Sequence, residues 1–492
     1  MELISSKIKS GIKWQFVSNI LGQSIYFING IALARILSPR EFGIFGMVQI
    51  ISSFIFMFWN LGINAAIIQK KEINDKLTNT AFILCIFMGV ACFLIISLIA
   101  PLIASFFKEQ AVHSLSILVG LTFIIYSFDR MPSALLSKNL KFKELSIIEL
   151  INPFVQLIVT VPLALHGFGP FSFAWGIIVA AFFIMLMKIY VGRKLVGWNP
   201  KLEFSFNHAK QLFHFGSFMT LHSLMNFLFL NLQKIFAGKL FGATDLGYFN
   251  RASNLSILPM SQVRGNVESV LLPAFSKVQD SREKIKDWFK KFNYFTYAII
   301  SPPLVFFIFY SKEIIIGIFG YKWGPAAPLL VWTSLSCLFS APEIFFSSIL
   351  NSLGKPKVNF LVKLFVLVPF VLAILFGSNW GIYGLAVALF ISAITVLITY
   401  LVVFSVYGLL SINEFLTTSF EPILAAIVSI FITKLIYLHL QRYVNNAVLE
   451  IAVLLIIFGS LELFYYAYRW FAASHIKYLG FNIRHVLEFK KV

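Results

Sequence analysis

Apolar runs of about twenty residues follow one another along almost the whole chain, and this recurrence limits its folding more than any other feature. Each run can cross the roughly 30 Å of hydrocarbon in a bilayer. Backbone groups in lipid must bond internally, so the runs form helices or a closed barrel. They are continuous, without the strict alternation of barrel strands, and this selects helices. Of the 492 residues, 59% are hydrophobic and 12% charged. A soluble domain carries about 25% charge, so a water-soluble globule is excluded.

Fourteen candidate spans fall at 14–37, 42–68, 80–107, 112–136, 146–166, 171–191, 213–238, 246–274, 293–316, 326–351, 358–377, 380–408, 418–440 and 446–470. The fold class expected is an all-α polytopic membrane protein. The longest polar loops, 192–212 and 275–292, are too short to form domains. Within the second, Asp280-Ser281-Arg282-Glu283 precedes Ile285, Trp288, Phe289 and Phe292 and predicts an N-capped amphipathic helix on the membrane surface. Cys85, Cys92 and Cys337 sit inside apolar runs with no metal or disulfide spacing. The first apolar run is too long for the core of a cleavable signal peptide.

The net charge of +19 would suggest nucleic acid in a soluble protein. Here no polar domain could carry such a footprint, and the excess Lys and Arg instead orient the helices. With the N-terminus in the cytoplasm, 26 basic residues fall inside and 7 outside, which predicts cytoplasmic N- and C-termini.

Two segments repeat at an offset of 204 residues. Residues 34–45 align with 238–249, so that Arg35 matches Lys239, Glu41 matches Asp245, Gly43 matches Gly247 and Phe45 matches Phe249. Six spans separate the copies, so both halves share one orientation, as parallel repeats related by an axis along the membrane normal do. Leu136, Lys141 and Lys143 echo Leu350, Lys355 and Lys357 at an offset of 214. The predicted organisation is an N-terminal lobe at 1–204, a C-terminal lobe at 205–412, and spans thirteen and fourteen with a cytoplasmic tail at 413–492. A duplicated set of six helices suits a central cavity between two lobes.

Charged residues within the spans are the candidates for chemistry, because a charge at mid-bilayer costs about 2.5–3.5 kcal/mol on insertion scales and normally faces protein or water. Arg251, Arg264 and Glu268 share span eight. Arg264 and Glu268, four apart, either line a cavity or form a structural ion pair. Arg251 has no acid within a turn and reads as a cavity cation. At offset 204, Asn60 and Asn64 match Arg264 and Glu268, which suggests that spans two and eight both face a wet interior. Lys234 is a further cavity candidate. Arg130 reads either as a cavity cation or as half of a local charge pair with Asp129, whereas Lys188, Lys363 and Lys434 read as snorkelling near span ends. Among the acids, Glu343 is the candidate for a coupling H⁺ or Na⁺; Glu149, Glu421, Glu450 and Glu462 rank behind it. No phosphate-binding glycine loop and no His-Glu-x-x-His is present, so no enzyme or cofactor chemistry is expected.

Leu37-Ser38-Pro39-Arg40-Glu41-Phe42-Gly43, its second copy Phe241-Gly242-Ala243-Thr244-Asp245-Leu246-Gly247, and Leu353-Gly354-Lys355-Pro356-Lys357 give the chain its resemblance to Wzx-type polysaccharide exporters. These belong to the multidrug/oligosaccharidyl-lipid/polysaccharide flippase superfamily, and the branch most resembled holds colanic acid exporters and teichuronic acid translocases. The resemblance covers the whole chain in order. It implies two six-helix lobes and alternating access in the bacterial cytoplasmic membrane. It also implies transport of an undecaprenyl-diphosphate-linked oligosaccharide for cell-surface polysaccharide or lipopolysaccharide biosynthesis. The partners implied are that lipid-linked cargo and membrane lipids, with polysaccharide polymerase and chain-length machinery working alongside; nucleic acid is not among them. Lipid II flippases and ion-coupled small-molecule antiporters share the plan and stay open as alternatives. A membrane polymerase or ligase is the third reading, although the external segments are too short for the loop it would need.

Overall fold

The computed structural model describes residues 2–59, 63–70, 73–440 and 447–475. Within its helices, the side chains of 2–10, 12, 65, 213–223, 225–226, 265–270, 272–273 and 470–475 lie outside the description. Sixteen α-helices and two 3-10 turns form the described chain. The first seven helices are α1 (Glu2–Ile36), α2 (Pro39–Trp59), α3 (Ile63–Gln69), α4 (Asp75–Phe107), α5 (Ala111–Lys138), α6 (Phe142–Leu165) and α7 (Phe171–Val196). Then come α8 (Phe206–Lys277), α9 (Arg282–Phe309), α10 (Ser311–Phe319), α11 (Ala326–Ser340) and α12 (Glu343–Ser352). The series closes with α13 (Pro356–Gly377), α14 (Gly381–Val406), α15 (Ile412–Leu440) and α16 (Ala447–His475).

This is the all-α polytopic fold expected. Eleven described stretches are long and apolar enough to cross a membrane, and one of them, Pro356–Val406, contains both α13 and α14. The seventh and eighth expected spans are the two arms of α8, which meet where Gly242 leaves helical geometry at φ 83° and ψ −174°. Three expected spans are each built from two helices: α2 with α3, α9 with α10, and α11 with α12.

Both repeats are visible as backbone geometry. The first copy breaks between α1 and α2, where Ser38 and Glu41 cap each other: the Ser38 amide and hydroxyl donate to Glu41 Oε2 at 2.6 and 2.7 Å. The second copy breaks at Gly242, 204 residues later, where a glycine accepts the positive φ. The 214-residue echo is a duplicated helix end. Lys141 N donates to Leu136 O at 2.9 Å, and Lys355 N donates to Leu350 O at 2.8 Å. Left-handed residues precede each donor, Leu140 at φ 56° and Gly354 at φ 68°.

Contacts divide the chain into two compact units, Met1–Asn250 and Arg251–Val492, with the division inside α8. The sequence-based lobe boundary at 204 precedes α8 instead. In the first unit, α1 packs on α6, α4 on α5, and α7 on both α5 and α6. The two repeat copies also touch there. A side chain on Gly43 would collide with the Ala243 carbonyl, and one on Gly247 with the Pro39 carbonyl. These contacts exchange under the 204-residue offset. Gly46 meets Asn250, its own offset mate.

In the second unit, α9 packs on α11 and α15, α14 on α11 and α13, and α16 on α10 and α15. Its centre is aromatic: Phe346 stacks on Tyr400 at 5.3 Å and meets Phe404 edge-on at 4.6 Å, with Phe289 stacked at 5.3 Å. Lipid is as apolar as these rings, so close packing rather than exclusion of water holds the helices together.

The predicted surface helix in 275–292 is corrected. Ser281 is the N-cap and accepts from Lys284 N at 3.4 Å, as the sequence implies. The helix it starts, however, is α9 itself, unbroken to Phe309. Ile285 and Phe289 are 1% exposed in the core of the second unit, so that apolar face packs on protein rather than lipid.

Candidate functional site

The first unit contains a cavity of about 410 Å³. From α2 it takes Gln49, Ser52 and Ser53, from α5 Thr122 and Tyr126, and from α8 Asn231, Lys234 and Asn250. Phe45, Phe56 and Phe123 supply apolar wall. Residues three or four apart on a helix share a face. That spacing puts Gln49, Ser52 and Ser53 on one side of α2, Thr122 and Tyr126 on one side of α5, and Asn231 with Lys234 on one side of α8. Gly46 lets Asn250 approach α2 closely. The Ser52 hydroxyl is buried without a partner among the described residues. The wall thus offers several neutral donors and acceptors, aromatic faces and one cation. Such a lining suits a hydroxyl-rich ligand that also carries negative charge.

Lys234 is half-buried in this wall. Arg130 is not part of the lining: its guanidinium is 4.0 Å from the Trp59 ring centroid and 5.6 Å from that of Phe56, which lines the cavity. Arg130 does not take Asp129. That carboxylate binds Lys188 at 3.1 Å, and Lys188 also binds Glu149 at 2.7 Å. One lysine therefore ties α5, α6 and α7 together. Its side chain is 8% exposed, which corrects the snorkelling reading: the ammonium is held inside by two acids on neighbouring helices rather than reaching for the interface.

The other predicted site residues lie elsewhere. Arg251 belongs to the second unit, its guanidinium 4.8 Å from the Phe319 ring centroid and 5.7 Å from that of Trp323. Arg264 is exposed on α8. Asn64 is half-buried on α3. Asn60 and the Glu268 side chain fall outside the described residues. Glu343 starts α12 and pairs with Lys363 of α13 at 3.5 Å, so Lys363 has a carboxylate partner rather than only the interface. Near this pair, Asn359 donates to Ser347 at 2.8 Å and accepts from Tyr400 at 2.6 Å. Among the described residues, no three of His, Cys, Asp or Glu gather as a metal site.

Sequence reasoning singled out Lys234 and Arg130 but missed the neutral lining. The available signal was polar residues at helical spacing inside apolar runs: 49, 52 and 53, and 231 with 234.

The chain is a helical membrane bundle whose first unit holds a polar cavity, and solved structures agree on the fold. The lipid II flippase MurJ in an inward closed conformation matches with TM-score 0.72 at 16% identity, over 93% of this chain and 98% of its own. An inward-facing multidrug resistance MATE family transporter of the MOP superfamily matches with TM-score 0.59 at 16% identity, over 79% and 95%.

The chain belongs to the polysaccharide biosynthesis protein family, whose model matches residues 32–328. The lipopolysaccharide biosynthesis protein WzxC of Escherichia coli K12 is 26% identical over 81% of each chain. An uncharacterized membrane protein in the cps region of Klebsiella pneumoniae is 26% identical over 94% of each. The teichuronic acid biosynthesis protein TuaB of Bacillus subtilis 168 is 25% identical over 67% of this chain and 68% of its own. The resemblance to Wzx-type exporters is thereby met.

Proposed function

We propose that this protein moves oligosaccharide repeat units linked to undecaprenyl diphosphate from the inner to the outer leaflet of the bacterial cytoplasmic membrane. The work is transport by alternating access, and both termini lie in the cytoplasm. Membership of the polysaccharide biosynthesis family and relatives such as WzxC and TuaB support this cargo class. The single observation that carries the reading is Lys234, a cation without an ion pair or hydrogen bond among the described residues, in a wall of amides and hydroxyls.

A diphosphate is costly to bring into oil, and a basic side chain along the route lowers that cost by charge-assisted hydrogen bonds. Lys234 takes this role, with Arg130, beside the Phe56 ring, adding positive potential. Sugar hydroxyls pair with the Asn231, Asn250, Gln49 and Ser53 side chains. Arg251, Arg264 and Asn64 are further candidate cargo contacts and Glu343 a candidate coupling site, each within its own unit; Asn60 and Glu268, also candidates by sequence, fall outside the described side chains. Moving one negative charge out of an inside-negative cell gains about 2.3 kcal/mol per 100 mV, so the potential favours export of the headgroup.

The test is translocation by purified protein in vesicles. A labelled undecaprenyl-diphosphate oligosaccharide should cross, and Lys234→Ala should slow it by at least about tenfold, the equivalent of roughly 1.4 kcal/mol. Transport of lipid II at the same rate as the oligosaccharide would favour the lipid II reading instead.

A further inference from the structure

Glu462 of α16 is a carboxylate that the proposed transport route does not use. It is 6% exposed, and neither oxygen has a hydrogen-bond partner among the described residues. The Ser429 hydroxyl of α15 faces it, short of hydrogen-bond geometry. One turn along α16, the Tyr466 hydroxyl is also buried without a partner. The level of α9 at this point follows from two contacts. Phe306 meets Phe458 at 5.3 Å, and Tyr294 shares Glu421 with Tyr465 and Arg469. Going back along α9 therefore means going forward along α16, and this register sets Ser301 and Pro302 level with Glu462. Ser301 is fully buried, and its hydroxyl too is without a partner. Pro302 and Pro303 have no N–H, so the carbonyls of Ala298 and Ile299 lose their helical donors.

Three helices thus bring a carboxylate, three hydroxyls and two released carbonyls to one level of the bundle. All are oxygens, and a hard cation selects oxygen ligands. A bare carboxylate in this apolar bundle would be heavily penalised, so something neutralises it. The charged groups facing it from each helix do not. Arg469 of α16 is bound to Glu421 of α15, and α9 offers Tyr294, which donates to the same Glu421. The nearest acid and base of α10, Glu313 and Lys312, lie towards the other end of the bundle, at the start of that helix. A single carboxylate balances one positive charge, and in an apolar bundle this favours a monovalent over a divalent ion.

We propose that Glu462, with the hydroxyls of Tyr466, Ser301 and Ser429, forms a binding site for one Na⁺ between α9, α15 and α16. This goes beyond the cargo reading and is read out without it.

The experiment uses the full chain in lipid nanodiscs, with thermal unfolding followed against NaCl and choline chloride held at constant total salt. Na⁺ should raise the unfolding temperature in a saturable way, and choline should not. Glu462→Gln should unfold cooperatively with no Na⁺ response. Tyr466→Phe, which removes one ligand oxygen and no charge, should move the midpoint to at least about tenfold higher Na⁺. No response in the unmodified protein, or the same response in Glu462→Gln, overturns the site. A stability change that follows pH alone and disappears in Glu462→Gln makes the proton the occupant, and likewise overturns the sodium assignment. Should Glu462→Gln fail to fold, an unchanged midpoint in Tyr466→Phe overturns it.

Discussion

Lys188 and Lys234 are both lysines inside the apolar bundle, and their surroundings give them opposite roles. Lys188 pairs with both Asp129 and Glu149, so removing it leaves the buried Asp129 without its ion-pair partner. Breaking a buried pair from one side costs about 3–5 kcal/mol. Lys188→Ala should therefore lose folded protein, read as a lower unfolding temperature and less monodisperse material, and Asp129→Asn in the same chain should recover part of the loss. Lys234 has no such partner, so Lys234→Ala should keep its unfolding temperature and lose transport. Equal loss of folded protein in both variants would contradict this division. Arg130 and Lys234 were legible in the sequence because an intramembrane charge needs an explanation. The Lys188 cluster was not, because residues 129, 149 and 188 lie on three helices and only the fold brings them together.

The joints between helices carry the duplication. Gly43 and Gly247 are tight because each faces the carbonyl of the other's repeat copy, Ala243 and Pro39. Gly43→Val and Gly247→Val should each destabilise the first unit by at least about 2 kcal/mol through overpacking, measured by thermal unfolding in detergent. The matching helix ends at Leu140 and Gly354 predict a gain instead. Leu140 holds a left-handed φ that its Cβ disfavours, whereas its echo is already glycine. Leu140→Gly should stabilise by about 1 kcal/mol, and a loss would show that the Leu140 side chain contributes more than its backbone costs. The repeat and the Ser281 cap were readable as local chemistry. The continuation of that cap into α9 was not. Both a surface helix and a core helix show an apolar face, and only the packing of Ile285 and Phe289 separates them.

At the scale of the molecule, apolar run length and charge bias predicted a fourteen-span helical protein, and the helices follow those runs, with α8 as two arms about Gly242. The cavity was legible only in part. Its cation stood out, but its neutral lining is ordinary Ser, Thr, Asn and Gln that gain meaning when α2, α5 and α8 converge. In the proposed function, this lining, centred on Lys234, carries a lipid-linked anionic sugar across the bilayer. The most direct measurement is the rate at which a labelled undecaprenyl-diphosphate oligosaccharide becomes accessible on the far side of vesicles holding the purified protein. Transfer should run well above that of protein-free vesicles, at least about tenfold slower with Lys234→Ala and restored towards normal with Lys234→Arg. Transfer at the protein-free rate, or an unchanged rate in Lys234→Ala, would contradict it.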